Sequence, residues 1–149
     1  MNKSCCFTGH RPEKLNISEF KTKRLLKTAI NNAIEKGYTV FYSGMARGID
    51  MWGAEIVLKY KKKNKDIKLI SAIPFKDFEK KWDNREQRRY NKILERADEI
   101  KYICQHYSKQ SFQIRNIFMV DNSNLIISAY NGEKGGTKNT IDYALKKEK

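Results

Sequence analysis

The chain has 149 residues, 40% of them apolar, and a formal charge of +14 at pH 7. This length and apolar content suit a single domain with a packed core and exclude a disordered chain. No apolar run reaches the ~20 residues that span a bilayer, and the excess of cations favours negatively charged partners: nucleotides, nucleic acid or an acidic surface.

Met1-Asn2-Lys3-Ser4 carries neither a signal-peptide core nor a myristoylation glycine, so a cytoplasmic protein without a membrane partner is expected. Cys5-Cys6-Phe7-Thr8 reads as a first short strand that ends in Gly9-His10-Arg11-Pro12. Neighbouring cysteines in a strand point to opposite faces and do not pair with each other. Cys104 stands near the end of another apolar run, and His10 and His106 are far apart in sequence. Buried thiols are therefore expected, with no metal site and no cofactor.

Asn16 and Glu19 have capping-box spacing ahead of a helix that presents Leu26, Ile30, Ala33 and Ile34 and stops at Gly37. A second strand, Tyr38 to Tyr42, breaks into Ser43-Gly44-Met45-Ala46-Arg47-Gly48, and a helix is expected from Asp50, burying Ala54, Val57 and Leu58. Its lysine-rich end, Lys59 to Lys65, reads as a solvated terminus that complements the helix dipole. Ile67 to Ile73 is a third strand, broken by Pro74-Phe75, and a long polar helix is expected from Lys76 to Ala97. Glu99 to Cys104 is the fourth strand, followed by a helix over Ser111 to Asp121 and a fifth strand over Leu125 to Tyr130. A second Gly-rich turn, Asn131 to Thr137, leads into a last helix ending at Lys147. Strands alternating with helices predict an α/β fold, a mostly parallel sheet covered on both faces.

In such sheets ligands bind beyond the carboxyl ends of the strands, where strand order reverses. The turns after strands one, two, three and five all fall on that edge. A strand that feeds a helix through a Gly-rich turn offers unpaired amides and a partial positive charge to an anion. Ser43, Gly44, Met45 and Gly48 are candidates of this kind, and Gly135-Gly136-Thr137 repeats the pattern. Arg11, with Gly9 and His10, follows strand one and can pair a phosphate bidentately. Asp50 reads either as an N-cap or as a carboxylate that holds ribose hydroxyls or orients a water. Glu55 is a weaker candidate for the same work. Arg115, which shares a helix face with Met119 at i and i+4, is a second cation to neutralise the phosphate, with Asn116 beside it as a further ligand-binding candidate. Phe75, Trp82 and Tyr130 read as core or edge packing, with stacking on a base as the alternative.

Across nearly its whole length the chain resembles the SLOG superfamily, named for its Smf/DprA and LOG members, and within it the YpsA-like branch of bacterial and phage proteins. The resemblance rests on Cys6-Phe7-Thr8-Gly9-His10-Arg11-Pro12, Ser43 to Asp50, Ala54-Glu55 and Ala72-Ile73-Pro74-Phe75. Trp82, Arg115-Asn116, Met119-Val120-Asp121 and Gly135-Gly136-Thr137 complete it. It implies one Rossmann-like three-layer domain over 1–149 that binds a nucleotide or nucleotide-derived molecule, NAD-derived or cyclic ones among them, as sensor, regulator or sequestering protein. The LOG phosphoribohydrolases carry an Arg-Lys pair and a PGGxGTxxE loop with a catalytic Glu. Arg115 and Met119 match them, but Asn116 replaces the lysine and Thr140 stands where the Glu would be. Hydrolysis of a nucleoside monophosphate would then fall to Asp50 or Glu55. The Ser43 to Asp50 run and Arg115-Asn116 also resemble DprA, which implies single-stranded DNA as an alternative partner. Relatives commonly associate, which implies a homodimer or higher homo-oligomer.

Overall fold

The computed structural model describes residues 3–9, 13, 17–129 and 136–147. In chain order these form β1 (Lys3–Gly9), α1 (Glu19–Glu35), β2 (Tyr38–Ser43), α2 (Ile49–Lys63), β3 (Lys68–Ile73), α3 (Asn84–Arg96), β4 (Glu99–Tyr102), α4 (Ser111–Asp121), β5 (Leu125–Ala129) and α5 (Gly136–Lys146). The strands make a 5-stranded sheet in the order β4-β3-β2-β1-β5, and every neighbouring pair is parallel.

Residue alternation along β1 divides the interior into two layers. Cys5 and Phe7 face the larger core, where Phe41, Leu69 and Ile73 of the sheet meet Leu26 and Ile30 of α1, Val57 and Leu58 of α2, and Tyr90 and Ile93 of α3. Cys6 and Ala72 face the other side, against Met119 and Val120 of α4 and Ala144 of α5. The sheet is thus sandwiched between helices, as the sequence pattern predicts. Cys5, Cys6 and Cys104 are all thiols. Burial pushes the Cys5 thiol far up, which makes it unreactive.

Local chemistry moves several boundaries. Ser18, whose hydroxyl accepts from the Lys21 N–H at 3.2 Å, caps α1, and Asn16 lies outside the described residues. The long helix expected over 76–97 begins only at Asn84. Asp83 caps it by accepting from the Glu86 N–H at 2.8 Å, and the preceding segment is a run of turns that carries Asp77 at φ +67°. Those turns aim Phe78 and Trp82 inward, Trp82 edge-on to Tyr90 at 5.5 Å between centroids. Strand β4 stops at Tyr102, although the Ile103 and Cys104 N–H groups still donate to Ile73 and Pro74 at 2.8 and 3.0 Å.

Strand order reverses at β1, which has β2 on one side and β5 on the other. Register brings Gly9 level with Ala129 and Ser43 level with Ser71. The exits of β1, β2, β3 and β5 therefore share one edge of the sheet, the edge at which such folds hold ligands.

Candidate functional site

The exit of β2 is a closed knot of hydrogen bonds. The buried Ser43 hydroxyl donates to the Asp50 carbonyl at 2.8 Å and accepts from the Met45 N–H at 3.2 Å. Met45 is held at φ 62°, rare for a residue with a side chain, by that bond and by complete burial of its thioether. The Ala46 N–H donates to the Asp50 carboxylate at 3.3 Å. Helix α2 then begins at Ile49 with Gly48 as its N-cap, at φ 90° and ψ −128°, a conformation suited to glycine. Asp50 is therefore not the cap: it sits inside the first turn, and its carboxylate reaches back to the loop.

This changes the expected cradle. The Met45 and Ala46 amides are consumed within the loop. Among the described residues none accepts from the N–H groups of Arg47, Gly48, Ile49 and Asp50, which lie at and just before the start of α2. They carry the positive end of the helix dipole.

Gly44 is a point of close approach. A Cβ there would stand 2.8 Å from Asp50 Oδ2, 2.8 Å from Arg115 Nη1 and 2.9 Å from Arg115 Cζ. Arg115 arrives from α4 and donates through Nη1 to the Gly44 carbonyl and through Nε to Asn116 Oδ1 at 2.8 Å. Asp50 and Arg115 are 7% and 5% exposed, so a carboxylate and a guanidinium face each other almost out of water. Burial raises the Asp50 pKa to about 6, against the lowering pull of Arg115 and of the Ala46 N–H. Burial also lowers the Arg115 pKa, which Asp50 opposes. The guanidinium carbon lies 6.0 Å from the centre of the Phe78 ring. Asp50 and Arg115 thus act on one another electrostatically across Gly44, while the hydrogen bonds of Arg115 go to the Gly44 carbonyl and to Asn116.

The other candidates are placed as follows. Gly9 allows the first residue of α2 to close on the end of β1, since a Cβ there would be 2.5 Å from Ile49 Cγ1. Arg47 reaches the segment after β1 through a 2.8 Å ion pair with Glu13. The exits of β1 and β2 are thus joined at both points. His10, Arg11, Tyr130 and Gly135 lie outside the described residues. Gly136 and Thr137 open α5, on the same edge as Gly44 and Gly48 because β5 runs parallel to β1. Glu55 is gripped by Arg89, whose Nε lies 3.0 Å from each carboxylate oxygen, so it is tied to α3 rather than left for activating water. Thr140 is 1% exposed.

Phe75 is the hub of an aromatic cluster, edge-on to Phe78, Tyr107 and Phe112 at 5.6, 5.4 and 5.8 Å. Trp82 packs on Phe78 at 5.2 Å, which accounts for it as a support rather than a free ring. No group of His, Cys, Asp and Glu among the described residues is arranged to hold a metal. No described helix is long and apolar enough to cross a membrane. An open groove of about 660 Å³ runs along α1 past Ile17, Lys21, Arg24 and Leu25, and none of the motif residues lines it.

The family model YpsA, described as the YspA SLOG family, matches residues 5–149. The uncharacterized SPbeta prophage-derived protein YoqJ of Bacillus subtilis is 35% identical over 144 residues, spanning 88% of this chain and 84% of that protein. A UPF0398 protein of Bacillus thuringiensis is 32% identical over 154 residues, spanning 95% of this chain and 81% of its own. Among solved structures, DNA processing protein A (DprA) of Streptococcus pneumoniae superposes with a TM-score of 0.68 at 17% identity. That match covers 99% of this chain and 48% of the DprA chain, so the chain spans about half of that structure and shares its fold.

Proposed function

This chain belongs to the YspA SLOG family, and we propose that it binds a nucleotide or nucleotide-derived anion at the C-terminal edge of the sheet. The observation that carries this reading is the buried Asp50 carboxylate, backed by Arg115 across Gly44, at the mouth of the open first turn of α2. Phosphate oxygens accept from the N–H groups between Arg47 and Asp50, with those at Gly136 and Thr137 and the Arg11 guanidinium as further donors. Asp50 accepts from ribose hydroxyls. The Ala46 N–H keeps that carboxylate oriented, and Arg115, bonded to the Gly44 carbonyl and to Asn116, places a positive charge beside it across Gly44.

Equilibrium dialysis against AMP, ADP-ribose and adenosine tests the reading. Retention of the phosphorylated compounds and not of adenosine supports it, and equal indifference to all three sinks it.

A second reading, hydrolysis of the N-glycosidic bond of a nucleoside monophosphate, is favoured by one observation. A carboxylate whose pKa is about 6 is poised to take a proton from water near neutral pH. Free base and ribose 5-phosphate released from AMP, and lost in Asp50→Asn, would establish it. The fold shared with DprA and the charge of +14 support single-stranded DNA as a competing occupant. Salt-sensitive retention of an oligonucleotide that displaces AMP is its signature.

A further inference from the structure

We propose that Tyr107 and Phe112 form a stacking platform for a nucleobase, so that the ligand of this site carries a planar aromatic ring and is not merely a sugar phosphate. This rests on the binding reading above and adds the class of group that fills its far end.

The two rings are out of place as core. Tyr107 is 65% exposed and Phe112 38% exposed, whereas Phe75 beneath them is half-buried. They stand 6.4 Å apart, tilted by 72°, and both rest edge-on against Phe75. Edge-to-face packing on Phe75 fixes the rings while leaving surface to solvent, and with their planes 72° apart a flat ligand stacks on the face of one and meets the other at its edge.

Their carrier is rigid. The Ser111 hydroxyl donates to the Ser108 carbonyl at 2.7 Å and accepts from the Ser108 N–H at 3.1 Å. That closed turn sets Tyr107 before α4 and Phe112 at its start. Rings held in this way lose little freedom when a ligand arrives, which favours affinity.

Their position ties them to the phosphate end. Phe112 precedes Arg115 by three residues on α4, one turn along the helix, so the two are neighbours on its surface. Phe78 touches Phe112 at 5.8 Å between centroids and lies under the Arg115 guanidinium. A continuous path of contacts therefore runs from Gly44, beside Asp50, through Arg115 and Phe78 to the exposed rings, along the exits of β2, β3 and β4. A ribose held by Asp50 would direct its phosphate to α2 and its base to Tyr107 and Phe112.

The test compares AMP with ribose 5-phosphate by calorimetry on the wild type, Tyr107→Ala, Phe112→Ala, the double variant, and Tyr107→Leu with Phe112→Leu. Wild type is expected to hold AMP roughly ten-fold or more tighter than ribose 5-phosphate. The alanine and leucine doubles are expected to erase that preference while binding ribose 5-phosphate as wild type does. The leucine pair keeps apolar bulk and so separates stacking from loss of fold. Equal binding of the two compounds by wild type overturns the platform and leaves the phosphate site standing, as does an AMP preference that survives in the leucine double. Failure of wild type to bind either compound overturns the platform together with the reading beneath it.

Discussion

Asp50 of α2 and Arg115 of α4 come from opposite sides of the sheet and meet over a single backbone carbon, the Cα of Gly44. An added methyl there would lie 2.8 Å from an oxygen of one and 2.8 Å from a nitrogen of the other. Glycine at this position is thus a steric requirement of the pair. Arg115 in turn ties α4 to the exit of β2 through the Gly44 carbonyl.

Gly44→Ala should therefore displace both side chains. The expected cost is about 1–3 kcal/mol, typical of overpacking, together with loss of AMP binding. Gly37→Ala is the control: its φ of +93° makes alanine strained, yet nothing lies within 4 Å of the new methyl. It should cost about 1–2 kcal/mol and leave AMP binding unchanged. Urea denaturation and dialysis of both variants check this.

Ionisation of Asp50 should make the wild type less stable as pH rises. Burial, opposed by Arg115 and the Ala46 N–H, lifts its pKa from 3.8 to about 6 in the folded protein. Between those values the folded state holds more protons than the unfolded, so stability falls from about pH 4 to about pH 6 and then levels. Two pKa units correspond to about 3 kcal/mol. Asp50→Asn lacks this titration. Its stability relative to wild type should improve by up to that amount between about pH 4 and about pH 7.5, as read by denaturation at both.

Arg115→Met should act in the opposite direction. It removes the charge that holds the Asp50 pKa down and the donor to the Gly44 carbonyl. Losing the hydrogen bond of a buried charged donor costs about 1.5–3 kcal/mol, and the nearby buried carboxylate loses the charge that offsets it. The loss should be large at pH 8, where Asp50 is ionised and alone, and smaller at pH 5, where it is neutral. A loss independent of pH would mean that Arg115 acts on the fold without acting on Asp50.

Glu55→Gln should separate structure from chemistry. The Glu55–Arg89 pair joins α2 to α3 with side chains 35% and 20% exposed, so solvent screens it. A loss of about 1 kcal/mol is expected. AMP binding should not change, and any hydrolysis of AMP should persist. Abolished turnover would return Glu55 to the list of catalytic groups.

The alternation of apolar segments and the glycine turns were enough to read the parallel sheet, its helices and the shared edge at Gly9, Gly44 and Gly136. Periodicity and turn residues report local conformation and burial, and both are written in neighbouring positions. The approach of Asp50 and Arg115 to Gly44 was not legible, because it brings together residues 65 positions apart through the packing of two layers. Sequence spacing inside α2 offered only the cap or a free carboxylate. The segment 76–82 misled for a related reason: its polar residues suit a helix, but Phe78 and Trp82 turn inward toward Phe75 and Tyr90. Tyr107 and Phe112 had one available signal, two aromatics flanking a Ser-x-x-Ser turn just past a strand end.

The most direct test is an AMP titration followed at each backbone amide by NMR. The largest shifts are expected at Arg47, Gly48, Ile49 and Asp50, around the start of α2, and should weaken in Gly44→Ala. Shifts that leave those four amides unmoved, or that concentrate along α1 instead, would contradict the proposed site.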